Sequence, residues 1–283
     1  MAQILSGREV AAALTAQLEE ETEKLKSSGV VPCLAIVRVG ERGDDLAYER
    51  GAVKRCQTVG IEVRHFVLPA DASQAELMQN IEKVNSDPSI HGCLIFMPLP
   101  PQMDEAAVRA ALLPQKDVDG ITPGSQAGVY TGRDVGYPPC TPAACVEILK
   151  HYNVPLKGAD AVVLGRSLVV GRPLAMMLLR ENATVTVCHS KTRDTAEKAR
   201  RAGILAAAVG HAGAVSADYT NPGQVIIDVG INVGADGKLT GDVTTEAAQA
   251  SGSYTPVPGG VGAVTTTVLA KHVIEAARRA AKL

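Results

Sequence analysis

The stretch VVLGRSLVVGRP (Val162 to Pro173) decides the fold. An apolar run enters Gly165, passes through a short polar turn and reaches Gly171 and Pro173 at the head of a helical pattern. Strand, glycine turn and helix in that order let the backbone approach a pyrophosphate, and the free N–H groups of the first helical turn favour an anion. The spacing is not G-x-G-x-x-G, so a tight turn that binds nothing is an open alternative for this segment alone.

Further apolar runs follow at the spacing of a parallel sheet with crossover helices: TVTVCHS (Thr184 to Ser190), GILAAAVG (Gly203 to Gly210) and QVIIDVG (Gln224 to Gly230). A NAD enzyme places an acid at the end of the second strand to hold the ribose 2′-hydroxyl. Here the strand ends in Cys188-His189-Ser190-Lys191, with no carboxylate. Ser190 and Lys191 offer donors to a 2′-phosphate, and Arg166 in the glycine turn completes a cluster suited to a dianion. These residues favour NADP over NAD. His189 reads equally well as a ligand or as a surface histidine.

The first half alternates in the same way. A helix from about Arg8 to Ser27 precedes the run CLAIVRV (Cys33 to Val39), a helix near Asp45 to Val59 and the strand IEVRHFVL (Ile61 to Leu68). A helix opened by the capping-box pair Ser73 and Glu76 then leads to the strand GCLIFM (Gly92 to Met97). The Pro- and Gly-rich passage from Pro98 to Pro142 reads as cleft wall and linker, with one short helix around Asp104 to Leu113. The chain closes with TPVPGGVG (Thr255 to Gly262) and a helix from about Thr265 to Lys282.

The expected architecture is α/β in two domains with a cleft between them. Residues 1–140 form an N-terminal parallel α/β substrate domain, and residues 141–264 form a C-terminal Rossmann-type NADP domain. The final helix, 265–283, is expected to pack back onto the first domain. A length of 283 residues with 46% apolar content supports two such cores.

A formal charge of −2 gives no global attraction to nucleic acid or to an anionic membrane. No run approaches the roughly 18 apolar residues that span a bilayer, and the N-terminus lacks a signal-peptide pattern, so a cytoplasmic protein is expected. Six cysteines lie scattered, without a C-x-x-C pair or metal-ligand spacing. They read as reduced, mostly buried thiols with no metal site.

The glycine turn, KDVDG (Lys116 to Gly120), PCTP (Pro139 to Pro142), DVGIN (Asp228 to Asn232) and TPVPGGVG occur in one order along the whole chain. With them the chain resembles the methylenetetrahydrofolate dehydrogenase/cyclohydrolase family, the FolD type. GRSLVVGRP and CHSKT (Cys188 to Thr192) look like its NADP-using members. The resemblance implies hydride transfer from 5,10-methylene-tetrahydrofolate to NADP⁺, then hydrolysis of the 5,10-methenyl product to 10-formyl-tetrahydrofolate. It also implies a homodimer joined through the nucleotide domains.

The family's motif is Tyr followed four residues later by Lys, with a Gln before the Pro-Leu-Pro segment and an Asp from D-V-D-G. Tyr48 and Asp119 match. Ala52 stands at the lysine position and Phe96 at the glutamine position. Lys54 is no substitute, because two residues at about 100° each put it roughly 200° around the helix from position 52. By carry-over Tyr48 orients the folate ring and Asp119 accepts its N–H groups. Pro258, Gly259 and Gly260 line the folate side, and Ile231 meets the cofactor through its backbone. Gly165, Arg166, Ser167, Gly171, His189, Ser190 and Lys191 complete the cofactor set. Asp45 stands where many members have a small polar residue, which suggests unusual charge at the cleft mouth. Ala263-Val264 replaces the common Pro-Met.

The two losses bear unequally on the two steps. Hydride departure is driven by the substrate's own nitrogen lone pairs and needs mainly positioning. Hydrolysis must activate water and move protons, help that is typically worth about 10²–10⁴-fold. The expectation is therefore a dehydrogenase with weak or absent cyclohydrolase activity. The ordinary bifunctional enzyme is the alternative, and a folate- or nucleotide-binding protein without turnover is the alternative of another class.

Overall fold

The computed structural model describes residues 2–234 and 237–283. In chain order the elements begin with β1 (Gln3–Ile4), α1 (Gly7–Ser27), β2 (Cys33–Val39), α2 (Gly43–Thr58) and β3 (Glu62–Leu68). Next come α3 (Gln74–Ser86), β4 (Gly92–Ile95), α4 (Glu105–Ala111), α5 (Pro123–Thr131), α6 (Cys140–His151), β5 (Asp160–Leu164) and α7 (Gly171–Arg180). The last are β6 (Thr184–Cys188), α8 (Thr195–Arg201), β7 (Ile204–Ala207), β8 (Val225–Asp228), β9 (Asn232–Val233), β10 (Leu239–Thr240), α9 (Thr245–Ala250), β11 (Ser253–Tyr254) and α10 (Thr265–Ala280).

The chain divides into two compact units. One comprises Ala13–Cys140 with Thr266–Leu283, the other the residues up to Ala12 with Thr141–Thr265.

In the first unit the strands pair in the order β3-β2-β4, all parallel. Central β2 is buried at every position, which is why its sequence is unbroken apolar apart from Arg38. That arginine sits in a buried ion pair, its Nε 2.7 Å from Glu49 Oε2. One face of the sheet packs Ala35, Val37 and Ile95 with Leu77 and Ile81 of α3 and Val108 of α4. Helix α3 begins where expected, with the Ser73 hydroxyl accepting from Glu76 N at 3.3 Å and Glu76 Oε2 accepting from Ser73 N at 2.8 Å.

The second unit holds a parallel sheet of order β1-β11-β8-β7-β5-β6. Val162, Leu164, Leu205 and Ile226 are fully or almost fully buried in its core. Strands β9 and β10 pair antiparallel beside it.

Two expectations need correction. Residues 2–12, assigned from sequence to the first domain, group with the six-stranded sheet. Gln3 and Ile4 pair with Ser253 and Tyr254 of β11, and Leu5 N donates to Tyr254 O at 2.8 Å. A two-residue strand carries no periodicity, so pattern reading passes over it. The passage 98–142, read as linker with one helix, also contains α5. Thr122 caps that helix by accepting from Ser125 N at 3.1 Å, Pro123 stands in its first turn, and Gly132 ends it with φ +69°.

Candidate active site

In the three-stranded unit the site residues leave from α2, the end of β4 and the KDVDG loop. Tyr48 and Ala52 are one turn apart on α2. Phe96 follows β4 directly, held by its N–H to Val37 O at 3.1 Å. The structure brings Tyr48 and Phe96 together, their rings edge to face with centroids 6.1 Å apart. Ala52 is completely buried and Phe96 is 8% exposed, so no amine and no amide stands at either position. Lys54 is exposed, in agreement with its predicted face. Asp45 is not an open charge: it is buried, with Arg42 Nε 4.0 Å from its carboxylate.

KDVDG separates into scaffold and site. Lys116 Nζ donates to the carbonyls of Val84, in the last turn of α3, and Asp87, which follows it, at 2.5 and 2.6 Å. Asp117, wholly buried, bridges the backbone of Cys93 in β4. Its carboxylate accepts from Ile121 N at 3.0 Å and Thr122 N at 2.7 Å. Capping the turn is thus the work of Asp117, while the half-buried Asp119 is met by the thiol and N–H of Cys140. Burial pushes Asp119 up to about 6; hydrogen bonds from the Cys140 thiol and N–H pull it down, and the Asp117 charge adds to the rise. Gly120 takes φ +67°, and a Cβ there would lie 2.5 Å from Pro139 N, so the glycine after Asp119 is obligatory.

In the six-stranded unit the register of β5 and β6 pairs Leu164 with Cys188, which sets Gly165 beside His189. Gly165 N donates to Cys188 O at 2.8 Å. The turn is a cradle that side chains would fill. Gly165 has φ +116° with a would-be Cβ 2.2 Å from Ala208 O, and a Cβ on Gly171 would lie 2.1 Å from Gly165 O. Ser167 Oγ accepts from Val170 N at 3.1 Å and Gly171 N at 3.4 Å, closing the turn over the head of α7. Arg166, Ser167, Ser190 and Lys191 are exposed around it. His189 is committed locally: its Nδ1 accepts from Lys191 N at 3.2 Å, and its N–H reaches Thr192 Oγ1 at 2.9 Å. This geometry favours a role in shaping the strand end.

The turn Pro256–Ala263 lines a cavity of about 300 Å³ with Arg8, Leu239 and the segment Asp228–Ile231. Pro258, Gly259 and Gly260 are therefore on its wall, and Ile231 sits at its edge, 64% exposed. Two carboxylates that sequence reading missed hold this wall. Asp228 accepts from Gly230 N and Asp242 N through one oxygen, at 2.9 and 3.0 Å, and from Val243 N through the other at 3.0 Å. Asp242 accepts from Val209 N and Gly210 N at 2.7 and 2.9 Å and from Asn232 Nδ2 at 3.0 Å. The pair ties together the loops at the carboxyl ends of β7 and β8, the edge where ligands bind in doubly wound sheets. Burial raises Asp228 to about 6 against these hydrogen bonds. The available signal was Asp beside Gly in two loops, which marks a turn but cannot show that the turns meet. Among the described residues no cluster of His, Cys, Asp or Glu is fit to hold a metal, and all six cysteines are free and buried.

Residues 5–119 match the model of the tetrahydrofolate dehydrogenase/cyclohydrolase catalytic domain, and residues 139–281 match that family's NAD(P)-binding domain. The chain belongs to the tetrahydrofolate dehydrogenase/cyclohydrolase family. It is 49% identical over 279 residues to the bifunctional protein FolD of Alkaliphilus oremlandii, covering 98% of each chain. The crystal structure of the bifunctional FolD dehydrogenase/cyclohydrolase of Campylobacter jejuni superposes with a TM-score of 0.95 at 36% identity, covering 99% of both chains. The Trypanosoma brucei dehydrogenase-cyclohydrolase, solved with NADP and an inhibitor, gives 0.92 at 33% identity, covering 100% of this chain and 99% of that one. The family's two domains account for the two-domain α/β fold, a catalytic domain followed by an NAD(P)-binding one. Membership makes the chain an enzyme of folate one-carbon chemistry. The relatives are named for both activities, so the comparisons favour the bifunctional alternative over a chain with hydrolysis weakened. No helix among the described residues is long and apolar enough to cross a membrane.

Proposed function

We propose that this chain oxidises 5,10-methylene-tetrahydrofolate to the 5,10-methenyl form with NADP⁺, and that its hydrolysis of the product is slow. The observation that carries the reading is the fully buried Ala52 one turn from Tyr48, with Phe96 packed on the tyrosine ring. Bound NADP⁺ supplies the hydride acceptor. The residues present fit such a group: the glycine cradle of Gly165 and Gly171 at the head of α7 suits a pyrophosphate, and Arg166, Ser190 and Lys191 suit a 2′-phosphate. Tyr48 and Asp119 orient the folate by a ring face and by acceptance of N–H groups, which is what a substrate-driven hydride departure requires. No lysine is present at position 52 to steer water or move a proton.

The bifunctional reading has its own support in the names of the relatives. One spectrophotometric experiment separates the two. The purified protein is given methylene-tetrahydrofolate with NADP⁺, then methenyl-tetrahydrofolate alone. NADPH formation with little enzyme-dependent decay of the methenyl chromophore is expected; fast decay establishes the bifunctional enzyme, and absence of NADPH formation removes the proposal altogether.

A homodimer through the nucleotide-binding unit is part of the reading. Its support is that β6 is an edge strand with Val187 exposed and Leu179 of α7 exposed nearby in sequence. Sedimentation equilibrium tests it. Six free thiols fit a reducing compartment such as the cytosol.

A further inference from the structure

His272 of α10 is 5% exposed, and its Nδ1 lies 2.9 Å from the carbonyl oxygen of Val118. A carbonyl can only accept, so Nδ1 carries the proton in this contact. Tyr137 packs against the ring with centroids 5.2 Å apart, and Cys140 Sγ lies 3.9 Å from Nδ1 and, as a longer donor, 3.4 Å from the same Val118 oxygen. Arg279 in turn covers Tyr137 at 4.9 Å. Val118 itself is fully buried, and its side chain fills the space that Gly92 leaves open, where a Cβ would be 2.7 Å from Val118 Cγ1.

The carbonyl held by His272 belongs to the peptide that joins Val118 to Asp119. The peptide is planar, so fixing its oxygen fixes the direction in which the chain enters Asp119. On the other side Gly120 is locked against Pro139. Asp119 is thus aimed by two rigid neighbours, although the histidine that makes the shorter bond to the first lies 154 positions from Val118 in the chain. We infer that His272 is a positioning residue for folate binding, acting through the Val118 carbonyl to aim the Asp119 carboxylate. The inference rests on the proposed role of Asp119.

The test compares His272→Leu, which removes the donor, with His272→Asn, whose amide can still donate. Loss of one hydrogen bond to a buried carbonyl and the resulting misalignment predict a rise of about tenfold in the folate KM of His272→Leu. The NADP⁺ KM should stay within about twofold, since an interaction confined to the folate side is not shared with the cofactor. His272→Asn should recover most of the folate affinity. An unchanged folate KM in His272→Leu, or equal losses in both variants, overturns the inference, the second outcome meaning that the ring only fills space. If His272→Leu does not fold, His272→Ala assayed with added imidazole decides: a falling folate KM supports the inference, no response overturns it. Asp119→Asn is measured alongside. A normal folate KM there means that the role of Asp119 itself is wrong, whereas a large loss there with none in His272→Leu rejects this inference alone.

Discussion

The rings of Tyr48 and Phe96 meet edge to face, 6.1 Å between centroids and with their planes at 83°. Such a contact stabilises by about 0.5–1.5 kcal/mol beyond area burial, and it occupies the place where the resemblance implies a glutamine. Phe96→Gln should therefore lower the melting temperature and leave methenyl hydrolysis unimproved, because position 52 still lacks an amine. Ala52→Lys with Phe96→Gln should raise hydrolysis. It should also lose stability, since a lysine entering a fully buried alanine site overpacks it, typically at about 1–3 kcal/mol. Methenyl decay rates and thermal melts of the single and double variants check both statements.

Asp119 titrates near 6, raised from an ordinary 3.8 chiefly by burial. Only the ionised carboxylate accepts at all its lone pairs, so folate affinity should fall as the pH drops through about 6. The stability linkage has the opposite sign: a carboxyl raised in the folded state contributes stability that is present below 3.8 and lost as pH rises through about 6. Acid should thus weaken folate binding without this group promoting unfolding. In Cys140→Ala the midpoint should move up, because the thiol hydrogen bond that lowers it is gone. Folate KM against pH for the two proteins is the measurement.

Asp228→Asn sets an amide NH₂ against backbone N–H groups on one side, where the carboxylate accepts from Gly230, Asp242 and Val243. Buried donors facing donors cost about 1–3 kcal/mol each, so the variant should melt markedly lower. Its NADP⁺ KM should rise as the Ile231 loop loosens. A variant with wild-type melting and cofactor KM would show that the crossed carboxylates do not hold the wall.

Gly165→Ala places a methyl 2.2 Å from the Ala208 carbonyl at φ +116°, where neither backbone can yield. The NADP⁺ KM should rise by at least about tenfold while folate binding, read by fluorescence quenching, is kept. Lys191→Glu should instead invert the cofactor preference, lowering NADP⁺ and sparing NAD⁺, which steady-state kinetics with both cofactors will show.

Much of this was legible in the chain. The runs around Ala35 and Val163 are apolar because both faces of those strands are covered, and burial on two faces leaves a plain signature. Helix α5 was equally well punctuated by Thr122, Pro123 and Gly132, but its weak amphipathicity hid it among prolines. What the sequence could not disclose was partnership across distance. Asp117 and Asp119 are indistinguishable as letters, and only the folded loop shows that the first holds the backbone of Ile121 and Thr122 while the second meets Cys140. Asp228 and Asp242, and His272 and Val118, likewise acquire meaning only once the chain has brought them within hydrogen-bonding reach.

Helix α10 is made after every described strand of both sheets, yet His272 braces the peptide before Asp119 and Val273 packs where Gly92 has no side chain. On the ribosome the six-stranded sheet has all its strands once Tyr254 has emerged, whereas the three-stranded unit stays unfinished until Thr265–Ala280 has followed. A nascent chain stopped before Thr266 would therefore carry a complete nucleotide-side sheet and an unbraced Asp119 loop.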